Sequence, residues 1–418
     1  MNLDFYSLIT ILIVLTAAFS YLNARFIKLP ATIGIMLISL ICSIVIQVLG
    51  KLNPAIVNHS AAALQSLDFE DLLMRMMLSF LLFAGAIHID VHKLKREFAP
   101  IAIYATVGVL ISTAIIGSVM FFVFQWFGLA IPFLYCLLFG ALISPTDPIA
   151  VLAILREARI PPSMEIKIAG ESLFNDGVGV VVFVSILEVA LMGTDNISVS
   201  QTAWLFLKEA GGGLLWGLML GYLGYYLVRS IDHYQVEVII TLAIVMGGYL
   251  LASYLHISGP LAMVVAGIIT GNKGKEEAMS DLSRDYLVKF WELIDEILNA
   301  VLFLLVGLEM ILLSFQQNTI IIGIIAIAVV LVARFVSVWL PSFILSFRRS
   351  MERSLVPILT WGGLRGGISI ALALSLPKND YRDLMVSITY IIVVFSILVQ
   401  GLTIGKLARK LNKTKPVH

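Results

Sequence analysis

Charge is what this sequence has least of. Only 13% of its residues are Asp, Glu, Lys or Arg, against about 25% in an ordinary soluble domain. Long polar stretches are scarce too, so no soluble nucleotide-binding or regulatory domain is expected. Cysteine is nearly absent: Cys42 and Cys136 both sit in apolar runs. That excludes a disulfide framework and suggests no metal site. A net charge of +1 gives no bulk attraction to nucleic acid, and no such partner is expected. The first apolar stretch lacks a basic segment before it and a small-residue cleavage site after it, so it reads as a retained helix.

What the chain does have is hydrophobic length. Sixty percent of its 418 residues are hydrophobic, and runs able to cross about 30 Å of hydrocarbon recur from end to end. Thirteen spans are expected, near 5–24, 30–50, 70–90, 99–127, 131–155, 164–192, 202–229, 235–255, 258–272, 290–315, 318–346, 354–376 and 384–408. The polar stretch at 271–289 is expected to be a loop or an interfacial helix. With the N-terminus outside, twenty-one Lys and Arg fall on the cytoplasmic side and five outside, as the positive-inside rule requires. The fold expected is therefore an all-α polytopic membrane protein with the lipid bilayer as its surroundings. Its C-terminus is expected to be cytoplasmic, and the membrane expected is a prokaryotic inner membrane. Six spans on either side of a seventh permit inverted repeats.

An ionisable side chain near the bilayer centre costs about 2.5–3.5 kcal/mol on insertion scales, so each one needs a reason. Asp147 lies in Ser144-Pro145-Thr146-Asp147-Pro148. Two prolines three residues apart remove backbone donors and interrupt the helix. Freed carbonyls at membrane depth are tolerated only in a protein interior or a water-filled cavity. Asp147 either caps the second half-helix, serves a site, or does both. Asp176 sits mid-span in Gly170-Glu171-Ser172-Leu173-Phe174-Asn175-Asp176. At 100° per residue Ser172, Asn175 and Asp176 share a face, and Glu171 points about 140° away. A carboxylate beside a hydroxyl and an amide supplies the hard oxygens a small cation prefers. If it binds either a proton or a cation, competition couples the movement of the two.

Arg365 lies in Trp361-Gly362-Gly363-Leu364-Arg365-Gly366-Gly367, where four glycines weaken the helix. Two interrupted spans, one in each half, are the best sequence pointer to a transporter's binding site. Arg365 needs a buried counter-charge, and Glu171 is the candidate for a structural ion pair. Arg334 either neutralises a helix end or lines a path. Glu188 and Glu309 lie near span ends and are expected to face water. His88 and His92 are expected on a solvated loop.

These motifs together resemble the NhaP-type monovalent cation–proton antiporters, the sodium–proton exchanger family. The resemblance runs from about residue 5 to 408 and is densest over Ser144–Phe183 and Trp361–Pro377. It implies inverted repeats with two crossed, partly unwound helices. It also implies a homodimer, with an ion-translocating core near 99–192 and 318–408. The dimerisation scaffold would lie near 1–98 and 235–315, with a linking helix near 202–229. Carried over, Asp176 is the carboxylate that binds cation or proton, with Asp147, Ser172 and the Thr146 carbonyl completing the cation site. Asn175 is the Asn of an Asn-Asp pair that goes with electroneutral one-for-one exchange, and Glu171 and Arg365 match a core-holding pair. Several members carry a Glu in the third span, where this chain has Ala84. No cofactor is implied beyond the transported Na⁺ (or Li⁺ or K⁺) and H⁺, and no enzymatic step. The alternatives are a K⁺-preferring antiporter, a cation channel, or an intramembrane hydrolase with Asp147 and Asp176 as its acid pair.

Overall fold

The computed structural model describes residues 5–65, 72–147, 149–158, 160–192, 199–275, 278–313, 316–346 and 354–412. Pro148, and the basic residues Arg159, Arg348, Arg349, Arg353, Lys413 and Lys415 counted above on the inner side, lie outside them. Regular structure among the described residues is helical, apart from one isolated antiparallel bridge between Asp147 and Leu364.

The chain begins with α1 (Phe5–Leu22), α2 (Ala31–Leu52) and α3 (Pro54–Gln65), followed by α4 (Leu78–Ile87). Helices α5 (Val91–Ile103) and α6 (Val109–Trp126) run as one rod through a wide turn at Tyr104–Gly108. The first interrupted span is α7 (Phe133–Ile143) and α8 (Ile149–Glu157). Then come α9 (Pro162–Met192), α10 (Val199–Arg229), α11 (Tyr234–Tyr254), α12 (Gly259–Ile269), α13 (Asp281–Leu308) and α14 (Gln317–Ser346). The second interrupted span is α15 (Leu355–Gly362) and α16 (Gly367–Leu374), and α17 (Arg382–Phe395) and α18 (Gly401–Asn412) finish the chain.

Each of the thirteen expected segments falls on helix, which is compatible with the expected count. Among the described residues, eight stretches are long and apolar enough to cross a membrane by themselves. The other five are short, interrupted or begin with polar turns, and they include the two broken spans that matter most here. Two boundaries move for local reasons. The α5 helix starts at Val91, eight residues before the expected edge, because the Asp90 side chain accepts from the His92 and Lys93 N–H groups and caps it. The polar stretch expected as loop or interfacial helix is partly the first turns of α13, capped by Ser280 through the Ser283 N–H. The α3 helix, rich in Ala, occupies a stretch expected to be a connection.

Packing brings the interrupted spans together. Helix α7 lies against α6 and α9, and α16 lies against α17 and α7, so both breaks reach one place. There Asp147 N–H donates to the Leu364 carbonyl at 2.8 Å. On the other side of the molecule α13 packs on α2 and α4, and α12 on α4 and α10. Helix α13 also touches α16, with Gly367 directly against Leu302.

Gly366 shows how tight the crossing is. A Cβ there would lie 2.5 Å from Asp147 Oδ2 and 2.7 Å from its Cβ. Gly366→Ala is expected to push the Asp147 carboxylate aside and cost about 1–3 kcal/mol, read as a lowered melting temperature of the purified protein in detergent. Gly247→Ala, where a Cβ meets nothing within 4 Å, is expected to leave that temperature unchanged or slightly raised.

Candidate functional site

The site grows out of the backbone groups that the two breaks set free. The end of α7 leaves the Ser144 and Pro145 carbonyls without helical partners. Arg365 supplies them: its Nη1 donates to the Ser144 carbonyl and, at 2.9 Å, to the Pro145 carbonyl. A cation at the negative end of a half-helix is also favoured by the helix dipole. The Arg365 backbone N–H is in turn held by Ser396 Oγ at 2.9 Å, and Ser396 donates to Gln400 at 2.7 Å.

This arrangement corrects the expected Glu171–Arg365 ion pair. Glu171 instead meets Arg334 in a bidentate pair, Nη1–Oε1 at 2.8 Å and Nη2–Oε2 at 2.9 Å, with Glu171 1% and Arg334 5% exposed. Arg334 Nε also donates to the Leu359 carbonyl near the end of α15, at 3.2 Å. Arg334 is therefore a charge partner and a helix-end ligand together. The physical reason is that Arg365 stands on unwound chain. Helical rotation assigned a face to Glu171 but none to Arg365, and the orphaned carbonyls of α7 claim its guanidinium.

A chain of hydrogen bonds runs from that pair to the break in α7–α8. Asn175 Nδ2 donates to Glu171 Oε1 and to Thr146 Oγ1, both at 2.8 Å, and Asn175 Oδ1 accepts from the Thr146 N–H at 3.1 Å. Thr146 Oγ1 and Ser172 Oγ lie 2.9 Å apart. Ser172 and Asn175 thus sit behind the site and hold Thr146. In front of it a cavity of about 620 Å³ is lined by Thr146, Asp147 and Asp176, with Ser369 of α16 beside them. Asp176 is 7% exposed and Asp147 half-buried. The structure therefore brings together on one cavity three of the residues expected there and places the other two as their support.

The cavity opens at its far end between His88, Asp90, Lys93, Arg156 and Glu165. His88 and His92 are exposed as expected, but His92 stands in the first turn of α5 and not on a loop, because the Asp90 cap starts that helix at Val91. Asp90 is held below the ordinary carboxylate range, first by the Lys93 backbone N–H, and Arg156 pairs with Glu165 at 2.6 Å. Ala84 is fully buried, whereas Leu81 and Gly85 of the same helix line the cavity. Glu309, expected to face water, is buried at 6% because it lies in a tight turn packed on α2. Reading the sequence missed Glu292, Asp295, Glu296 and Asn299 of α13, all of which line the cavity. Their spacing of three, four and seven was the available signal.

The pairing of Glu171 is open to measurement. Glu171→Gln is expected to strand Arg334 and cost about 3–5 kcal/mol, read by unfolding in detergent. A double-mutant cycle is expected to give about 2 kcal/mol or more of coupling between positions 171 and 334, and much less between 171 and 365.

Comparison with known proteins points one way. The family model described as sodium/hydrogen exchanger, transmembrane, matches residues 11–410. The chain is 49% identical to the Na⁺/H⁺ antiporter NhaP of Pseudomonas aeruginosa, over 98% of both chains. It is 36% identical to the Na⁺/H⁺ antiporter NhaH of Halobacillus dabanensis, over 97% of this chain and 98% of that one. The solved sodium proton antiporter MjNhaP1 of Methanocaldococcus jannaschii has the same fold at 20% identity, with a TM-score of 0.76 over 96% of this chain and 97% of that one. Together with two crossed, interrupted helices around a buried carboxylate, these matches mean that the chain belongs to the sodium/hydrogen exchanger family.

Proposed function

We propose that this protein is a secondary antiporter that exchanges Na⁺ for H⁺ across the membrane, with Asp176 as the carboxylate for which the two ions compete. The observation that carries the reading is Asp176 itself: a buried acid on the wall of a deep cavity, beside Asp147 and the point where two unwound helices cross. Thr146 adds oxygens to the same wall. The names of the full-length relatives, both Na⁺/H⁺ antiporters, favour Na⁺ among the monovalent cations.

One carboxylate that carries either ion makes exchange one for one. With Asp147 keeping its charge throughout, the loaded site has the same net charge in both half-cycles, so turnover moves no net charge. Asn175 beside Asp176 fits this, because it replaces a second acid with a neutral amide that is used in holding Thr146 and Glu171. Access alternates, in this reading, when a core of 99–192 and 318–408 moves against a scaffold of 1–98 and 235–315, joined through 202–229. The close packing of α7, α9, α14, α16 and α17 around the crossing supports a core that moves as a unit. A homodimer supplies the fixed frame. The N-terminus is outside and the C-terminus cytoplasmic in a prokaryotic inner membrane, which puts the mouth of the cavity on the cytoplasmic side. No cofactor takes part.

Proton flux reported by a dye in proteoliposomes tests this directly. Added Na⁺ is expected to dissipate an imposed pH gradient, and valinomycin with K⁺ is expected to leave the rate unaltered. Failure of Na⁺, Li⁺ and K⁺ alike would sink the antiporter reading, and a response to K⁺ alone would redirect it to a K⁺ exchanger. Asp176→Asn is expected to abolish the flux while the protein stays folded. Below the pH at which Asp176 is half-protonated, half-saturating Na⁺ is expected to rise by about tenfold per pH unit, since each proton bound removes the cation's ligand.

A further inference from the structure

The acidic stripe on α13 has no part in the scheme above. Glu292, Asp295, Glu296 and Asn299 are spaced so that they share one helix face, and the stripe is about 10 Å long at 1.5 Å per residue. All four line the cavity that Asp147 and Asp176 also line. Among the described residues, Glu292, Asp295 and Glu296 have no ion pair. An acidic face alone is usually just solvated, but two buried oxygens set this one apart.

Asn299 is 2% exposed. Its Nδ2 donates to the Asp295 carbonyl at 2.8 Å, which fixes the amide plane, and its Oδ1 has no hydrogen-bond partner among the described residues. Ser369, 1% exposed on α16, has an unpartnered Oγ and lines the same cavity. The close approach of Gly367 to Leu302 seats the start of α16 on α13, so the two oxygens belong to facing helices. An unmet buried oxygen is costly, and two on facing helices that line one cavity call for a ligand. Asp295, one turn before Asn299, is half-buried and lines the same cavity as Asp147.

We propose that Asp295 and Asn299, with Ser369 across the cavity, form a second, transient site for the transported monovalent cation on its way to Asp176. The donors are a carboxylate, an amide oxygen and a hydroxyl, all hard oxygens. One half-buried carboxylate matches a single positive charge. Three protein oxygens leave room for the ion to keep part of its water, so it is held weakly and released inward. No group of three or more His, Cys, Asp or Glu able to hold a metal occurs among the described residues, which sets the site apart from a divalent one. The site also puts a carboxylate into the cavity from α13, facing Leu81 and Gly85 of the third span, where this chain has Ala84 in place of an acid.

The identity of the ion rests on the exchanger reading, but the deciding measurement needs no turnover. Broadening of the Na⁺ NMR resonance by purified protein, displaced by excess Li⁺, reports weak cation binding. Asp176→Asn is expected to retain displaceable broadening, and adding Asp295→Asn is expected to cut it by about fivefold or more. In proteoliposomes, Asp295→Asn, Asn299→Leu and Ser369→Ala are each expected to raise half-saturating Na⁺ several-fold, proportionally more than they change the maximal rate. Asn299→Leu is the sharpest variant because it removes an oxygen and no charge. If Asp295→Asn alone moves the Na⁺ dependence, the stripe acts only through its potential and the site is refuted. Absence of displaceable broadening in Asp176→Asn refutes it as well. Failure of the wild-type protein to exchange Na⁺ would strike the exchanger reading, leaving the binding result to stand by itself.

Discussion

Interrupting a helix at membrane depth exposes backbone groups to a medium that cannot satisfy them. Two interruptions in one protein can answer each other, and that mutual satisfaction organises this structure. The Asp147 N–H goes to the Leu364 carbonyl, and Arg365 reaches back to the carbonyls that α7 leaves open. Each break is therefore the other's partner. Glycine at 366 lets the strands of chain approach closely enough for the exchange. What is left over at the crossing is a carboxylate at the start of two half-helices, where the dipoles of both favour negative charge. A site for a cation is a by-product of solving the backbone problem.

The crossing is mounted on a charged pair that would be unaffordable alone. Glu171 and Arg334 are both buried, and taking either from water costs several kcal/mol. The bidentate geometry and the further bonds to Asn175 and Leu359 leave no lone pair or proton idle where it matters. Through Asn175 the pair fixes Thr146, and through Leu359 it fixes the end of α15. One ion pair thus clamps both interrupted spans onto α9 and α14. Burial of charge here contributes geometry rather than net stability: it leaves Asp176, one residue beyond Asn175, turned toward the cavity with its neighbours already satisfied.

Much of this was legible in the residues. Apolar length and the distribution of Lys and Arg predicted the spans. Proline spacing predicted the break after Ile143, and four glycines the break after Gly362. Helical rotation separated Glu171 from Asp176 correctly, because α9 is an unbroken helix on which phase has meaning. The same reasoning could not choose between Arg334 and Arg365 for Glu171. Arg365 lies where the helix has come apart, and unwound chain has no phase. The stripe on α13 lay within the span expected at 290–315 and was readable by the same rule; it was missed because the acids near the start of that span were not tested for a shared helix face. Buried Glu309 escaped because position near a span end says nothing about what packs there.

Ala84 brings these threads together. An exchanger that loads Na⁺ at a buried carboxylate must strip water from the ion, and stripping it in one step against a wall of leucine is slow. A Glu on the third span offers one intermediate ligand. Here that helix presents Leu81 and Gly85 to the cavity, and acid arrives instead from α13. The two placements are not equivalent. A carboxylate beside Asp176 deepens the binding well, whereas one apart from it divides the dehydration into two smaller losses and leaves the well shallow. In the alternating access proposed above, Asp295 and Asp176 stand on parts of the molecule that move against each other. Their separation then changes during the cycle, and the waypoint feeds the site only while the cavity is open. A chain that moved its second acid from the third span to α13 would therefore trade affinity for a faster hand-over that is tied to the state in which the cavity is open.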